Sequence, residues 1–167
     1  MKYLAIVTIN FLMIISGVSQ DYTRSLGLVG GMTSGVSLKT FSTDEQAFEV
    51  ILSTKFRGLK ITGLKAWHRP AMWKQTDKLF YIFGYGSHAG FFNKYPKNRL
   101  FPSYNTHVRK NTSYAVIGLD AILGIEYRVI RYPLVIGLEY KPFFDLFGPN
   151  YFNLYLGDFS LAVRYTF

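Results

Sequence analysis

The sequence predicts an all-β fold: an eight-stranded antiparallel up-and-down transmembrane β-barrel, preceded by a cleavable signal peptide. Three observations carry the prediction. Apolar residues recur at every second position through most of residues 24–167. That is the period of a strand with one greasy face and one wet face. Residues 1–19 have the make-up of an export leader. Aromatic residues crowd the ends of the alternating segments, where amphipathic rings favour a membrane–water boundary.

The leader has a positive n-region in Lys2. An apolar stretch follows from Leu4 to Ile15, broken by Thr8 and Asn10, and small residues Gly17-Val18-Ser19 precede Gln20. Such a segment is too short to span a bilayer as a helix. The division is therefore 1–19 signal peptide and 20–167 outer-membrane β-barrel, a single domain. No cysteine occurs, so no disulfide framework and no lipid-anchored cysteine is expected. Fifteen Phe and thirteen Tyr are more than a soluble domain of this size needs. The net charge of +9 includes Lys2, so 9 − 1 leaves +8 after its loss. In an exported barrel that charge meets lipopolysaccharide and acidic glycans; nucleic acid is not an expected partner.

The strands follow from the alternation. The first is predicted at 24–30 and the second at 36–41, with a turn at 30–35. One long strand kinked at Gly30-Gly31 would give an odd number, whereas bacterial single-chain barrels are even. The third spans 47–55, with Phe48, Val50 and Leu52 opposed to Glu49, Ser53 and Lys55. The fourth spans 58–68 and the fifth 79–92. The sixth, 114–129, is the cleanest: Ile117, Leu119, Leu123 and Ile125 face one way, Asp120, Glu126 and Arg128 the other. The seventh, 133–141, repeats this, and the eighth is 156–167. The long connections 93–113 and 143–155 then share one end with the turn at 30–35. Two lengths fit the barrel pattern poorly, the short link Phe56-Arg57 at that end and the long link 69–78 at the other. Lys65 falls on the outward face beside Trp67 and is expected to snorkel to the interface.

The interior set predicted by this parity is Lys39, Glu49, Lys60, His88, Asp120, Glu126, Arg128, Glu139, Lys141, Asp158 and Arg164. An eight-stranded cylinder is about filled by side chains, and buried charges must pair. A salt-bridged plug is expected rather than an open pore. Gly84, Gly86 and Gly90 fall on the inward face of the fifth strand, where bare positions make room for bulky neighbours.

Chemistry is not expected. Ser87 and His88 are adjacent on a strand and point to opposite faces, so they form no nucleophile–base pair. His68 ends the fourth strand on the inward side, with Thr62 on its face. His107 has no carboxylate near it in sequence. No metal or cofactor signature is present. The loop 93–113 carries Lys94, Lys97, Arg99, Arg109 and Lys110 among aromatic residues, a composition suited to lipopolysaccharide phosphates. The ring-rich 141–155 segment is expected to fold over the barrel mouth or to meet a partner protein.

Four stretches carry a family likeness. They are Ser34-Gly35-Val36-Ser37-Leu38-Lys39-Thr40-Phe41, Gly63-Leu64-Lys65-Ala66-Trp67-His68, Gly118-Leu119-Asp120-Ala121-Ile122-Leu123-Gly124-Ile125-Glu126-Tyr127, and Arg164-Tyr165-Thr166-Phe167. With them the chain resembles the small eight-stranded outer-membrane barrels of the OmpA, OmpX and opacity-protein type, and in detail the short barrels of Bacteroidota. The resemblance implies a Gram-negative outer-membrane location. It also implies insertion by the barrel-assembly machinery, with Tyr165 and Phe167 as the barrel-terminal signal. For activity it implies little beyond a structural or interaction role with membrane lipid, lipopolysaccharide or another outer-membrane protein. The alternatives are a small pore or carrier for small or apolar solutes, and a lipid A-modifying enzyme.

Overall fold

A strand leaves unpaired donors and acceptors along both edges, and closure into a cylinder pairs them all. The chain takes that solution. The computed structural model describes residues 23–55, 58–71, 78–92, 114–129, 131–148 and 152–167. The predicted leader at 1–19 lies outside them, as do Phe56-Arg57, most of the 69–78 link and all of the 93–113 link.

The strands are β1 (Arg24–Gly31), β2 (Ser34–Phe41), β3 (Gln46–Lys55), β4 (Gly58–Pro70), β5 (Leu79–Phe92), β6 (Tyr114–Arg128), β7 (Leu134–Tyr140), β8 (Phe143–Phe147), β9 (Asn153–Tyr155) and β10 (Phe159–Thr166). All pairings are antiparallel. Each strand from β1 to β7 pairs with the next, β7 pairs with β10, and β10 returns to β1. Eight staves close the ring. The seam is sealed by the last residue: Arg24 N–H donates to Phe167 O at 3.1 Å, and Phe167 N–H to Arg24 O at 2.9 Å.

The first two staves are separate strands, as the even-number argument requires. Their turn is Met32-Thr33, after Gly31, whose φ of 152° suits glycine. The predicted open connection 143–155 is corrected. It is a hairpin, β8–β9, that prolongs the β7–β10 hairpin. Pro142 has no N–H, but its carbonyl accepts from Ala121 N–H at 2.9 Å, so β8 continues along β6 in the register of β7. On the facing stave the register slips. Phe159 pairs with Tyr140 and Tyr155 with Phe143, so three residues (156–158) oppose two (141–142). That extra residue is a bulge, and it reverses which parity points inward. The predicted long 69–78 link is also shortened: β4 runs to Pro70, and Ala71 N–H donates to Leu79 O at 2.8 Å.

The two faces of the wall invert the usual globular distribution. Large apolar side chains lie on the outside, among them Leu28 at 67% exposure and Leu138 at 54%. Buried polar and charged residues fill the inside, among them Lys39 and Glu49 at 0% and Arg164 at 1%. Ile51, Leu64, Ala66, Ile82 and Ile122 form a small apolar cluster within the interior.

Space for the large ionic side chains comes from glycine. Arg164 faces Gly27 across the β1–β10 pair, and Glu139 faces Gly124 across β6–β7. Glu126 faces Gly137, His88 faces Gly118, Asp120 faces Gly86 and Lys60 faces Gly90. A Cβ on Gly118 would lie 2.5 Å from His88 Cε1 and would strike the Phe144 carbonyl oxygen. A Cβ on Gly27 would lie 2.5 Å from Arg164 Cγ. Outward Gly63 has nothing within 4 Å of that position. Gly118→Ala is therefore expected to lower stability by about 1–3 kcal/mol through overpacking. Gly63→Ala should stay within about 0.5 kcal/mol. Urea unfolding midpoints of the two variants check this, and equal midpoints would contradict it.

Candidate functional site: a charge-balanced interior

Period-two geometry aims most of the strands' ionic residues at the barrel axis, where a lone charge is costly. Among the described residues they gather into two clusters. The first lies toward the end that holds the chain termini and centres on Arg164 of β10. Its Nε donates to Ser37 Oγ at 3.0 Å and its Nη1 to Glu126 Oε1 at 2.9 Å. Its Nη2 donates to Glu49 Oε1 at 2.5 Å and also to Glu139. One guanidinium thus ties together β2, β3, β6 and β7. Its planar fork of five donors is what lets a single cation do this.

Lys39 reinforces the same carboxylates. It is bonded to Glu126 and lies 3.5 Å from Glu49 Oε2. Lys141 Nζ donates to Glu139 Oε2 at 2.9 Å. Three cations (Lys39, Lys141, Arg164) thus meet three carboxylates (Glu49, Glu126, Glu139). His68 Nε2 lies 3.2 Å from Glu126 Oε2 and 3.3 Å from Lys39 Nζ, and its ring leans on Phe41 with centroids 4.8 Å apart.

The second cluster lies toward the other end. His88 of β5 is gripped on both sides: Nδ1 is 2.5 Å from Asp120 Oδ2, and Nε2 is 3.0 Å from Asp145 Oδ1. Each ring nitrogen thus has a carboxylate oxygen within hydrogen-bond distance. Lys60 Nζ donates to Asp120 Oδ1 at 2.9 Å, and Asn153 Nδ2 approaches Asp145 Oδ2 at 3.5 Å. Lys60 and the His88 ring thus meet two carboxylates. Phe143 closes over the group, with Lys60 Nζ 4.3 Å from its ring centroid and the His88 ring edge-on at 5.4 Å. Tyr155 stacks on Phe143 at 5.1 Å. Along β4 and β6 the apolar residues Leu64, Ala66 and Ile122 fall between members of the two clusters.

The predicted interior residues are placed as follows. Lys39, Glu49, Glu126, Glu139, Lys141 and Arg164 are buried in the first cluster, and Lys60, His88 and Asp120 in the second. Asp158 is buried and accepts from Thr33 Oγ1 at 2.5 Å. Arg128 is half-buried, with its guanidinium carbon 4.1 Å from the Phe80 centroid. Tyr165 and Phe167 stack at 6.4 Å beside the seam. Lys94, Lys97, Arg99, Arg109 and Lys110 lie outside the described residues, as do His107 and Tyr151. Asp145 was missed because it fell in a supposed connection. The signal was present: Glu139, Lys141, Phe143 and Asp145 keep one parity straight through Pro142.

Neither described histidine hydrogen-bonds a hydroxyl. Ser87 is exposed on the outer face, and Thr62, the cross-strand neighbour of His88, is buried without a bond to it. Among the described residues no group of three or more His, Cys, Asp or Glu is arranged to hold a metal ion. Comparison with protein-family models, curated proteins and solved structures gives no match for the chain.

Arg164→Met leaves three buried glutamates against two lysines. It is expected to destabilise the barrel by about 3–5 kcal/mol, the scale for an orphaned buried charge. Adding Glu139→Gln should recover part of that loss. A double-mutant cycle on urea unfolding measures the coupling, and strictly additive effects would reject the network.

Proposed function

We infer that this chain is an integral outer-membrane β-barrel protein that acts without catalysis, as a structural element or as a partner for lipopolysaccharide or another membrane protein. One observation carries the reading: the closed cylinder turns its apolar side chains outward and its ionic side chains inward. Water would reward the opposite arrangement, whereas acyl chains reward this one. The export-leader composition of residues 1–19 and the aromatic strand ends support the same location.

A non-catalytic role is supported by the state of His88. Both its nitrogens are committed to carboxylates, so neither can take a proton from a nucleophile. A conducting role is opposed by Arg164, which braces four other staves across the axis.

The protein is expected to fractionate with outer membranes, to resist extraction by salt and to need detergent for solubility. Recovery as a soluble species without detergent would reject the membrane reading. In planar bilayers it should stay silent over a wide voltage range, while steady single-channel steps from the unmodified chain would move the assignment to a pore.

A further inference from the structure

On the outward faces of the strands, every charged side chain among the described residues is a cation. These are Arg24, Lys65 and Arg69, and all three lie in the half of the barrel nearer the chain termini. Lys65 and Arg69 share the outer face of β4 with Trp67 between them. At strand rise they are about 13 Å apart, with Lys65 two pleats further from the barrel end.

An aromatic floor lies beneath them. Lys65 pairs across the strands with Phe48 on one side and Tyr85 on the other. Its Nζ is 5.3 Å from the Trp67 ring and 5.8 Å from the Phe48 ring. Trp67 stacks on Phe83 at 5.9 Å and is tilted against Tyr85 at 5.7 Å. The Arg69 guanidinium carbon is 5.8 Å from the Phe83 ring. Neither cation forms an ion pair with a carboxylate among the described residues. The exposed acids Asp44 and Glu45 lie on the turn before β3, at the barrel end. A lysine this far along an apolar and aromatic wall is stabilised by a counter-ion from the surroundings.

We propose that Lys65, Trp67 and Arg69 form a binding site for an anionic glycerophospholipid, its phosphate between the two cations and its upper acyl chains on Phe48, Phe83 and Tyr85. The site rests on the membrane reading above. Chain termini of such barrels lie on the periplasmic side. The occupant is therefore a lipid of the inward leaflet rather than lipopolysaccharide.

Trp67 is the built-in reporter. The chain has two tryptophans, so Trp73→Phe leaves Trp67 alone. The mature protein carrying that change is folded into vesicles containing either brominated phosphatidylglycerol or brominated phosphatidylcholine at equal mole fraction. The anionic lipid is expected to quench Trp67 with about a thirtyfold higher relative association, about fivefold for each of the two cations. The preference should shrink with added salt. It should vanish in the Lys65→Gln/Arg69→Gln variant, with quenching by phosphatidylcholine unchanged. Equal quenching by the two lipids, or a preference that survives both substitutions, overturns the site. No quenching by either lipid overturns the membrane reading itself.

Discussion

The interior of an eight-stranded cylinder has room for side chains and little else, so any ion placed there must meet its counter-ion inside the wall. The rest of the structure follows from that constraint. Arg164 alone reaches carboxylates from three other staves, and Lys39 and Lys141 complete the balance. At the other end His88 and Lys60 do the same for Asp120 and Asp145. Apolar side chains lie between the two clusters.

Close pairing needs space as well as charge. Six of the buried ionic residues face glycine across a strand pair. Glycine weakens a strand in isolation because it packs nothing. Here the loss is offset by letting a long side chain lie flat against the neighbouring backbone. The hydrogen-bonded ladder then holds straight what the bare positions would loosen.

Much of this was legible from residue order alone. Alternation located the eight staves, and parity named ten of the interior ionic residues now seen buried. What it could not supply was the pairing. Arg164 and Ser37 are 127 residues apart, and Lys39 and Glu126 are 87 apart. Only the sheet order brings them together. The β8–β9 hairpin escaped for two local reasons. Pro142 reads as a strand stop, yet its carbonyl carries the ladder past it. The 156–158 bulge then shifts the phase, so that Asn153 and Asp158 both point inward despite opposite parity.

One strand carries both the guanidinium shared by Glu49, Glu126 and Glu139 and the pairing that closes the ring on β1. A cylinder deprived of β10 would stand open between β1 and β7. It would also leave those three glutamates facing Lys39 and Lys141 alone. Mechanical closure and charge balance thus hinge on the same eight residues, Phe159–Thr166.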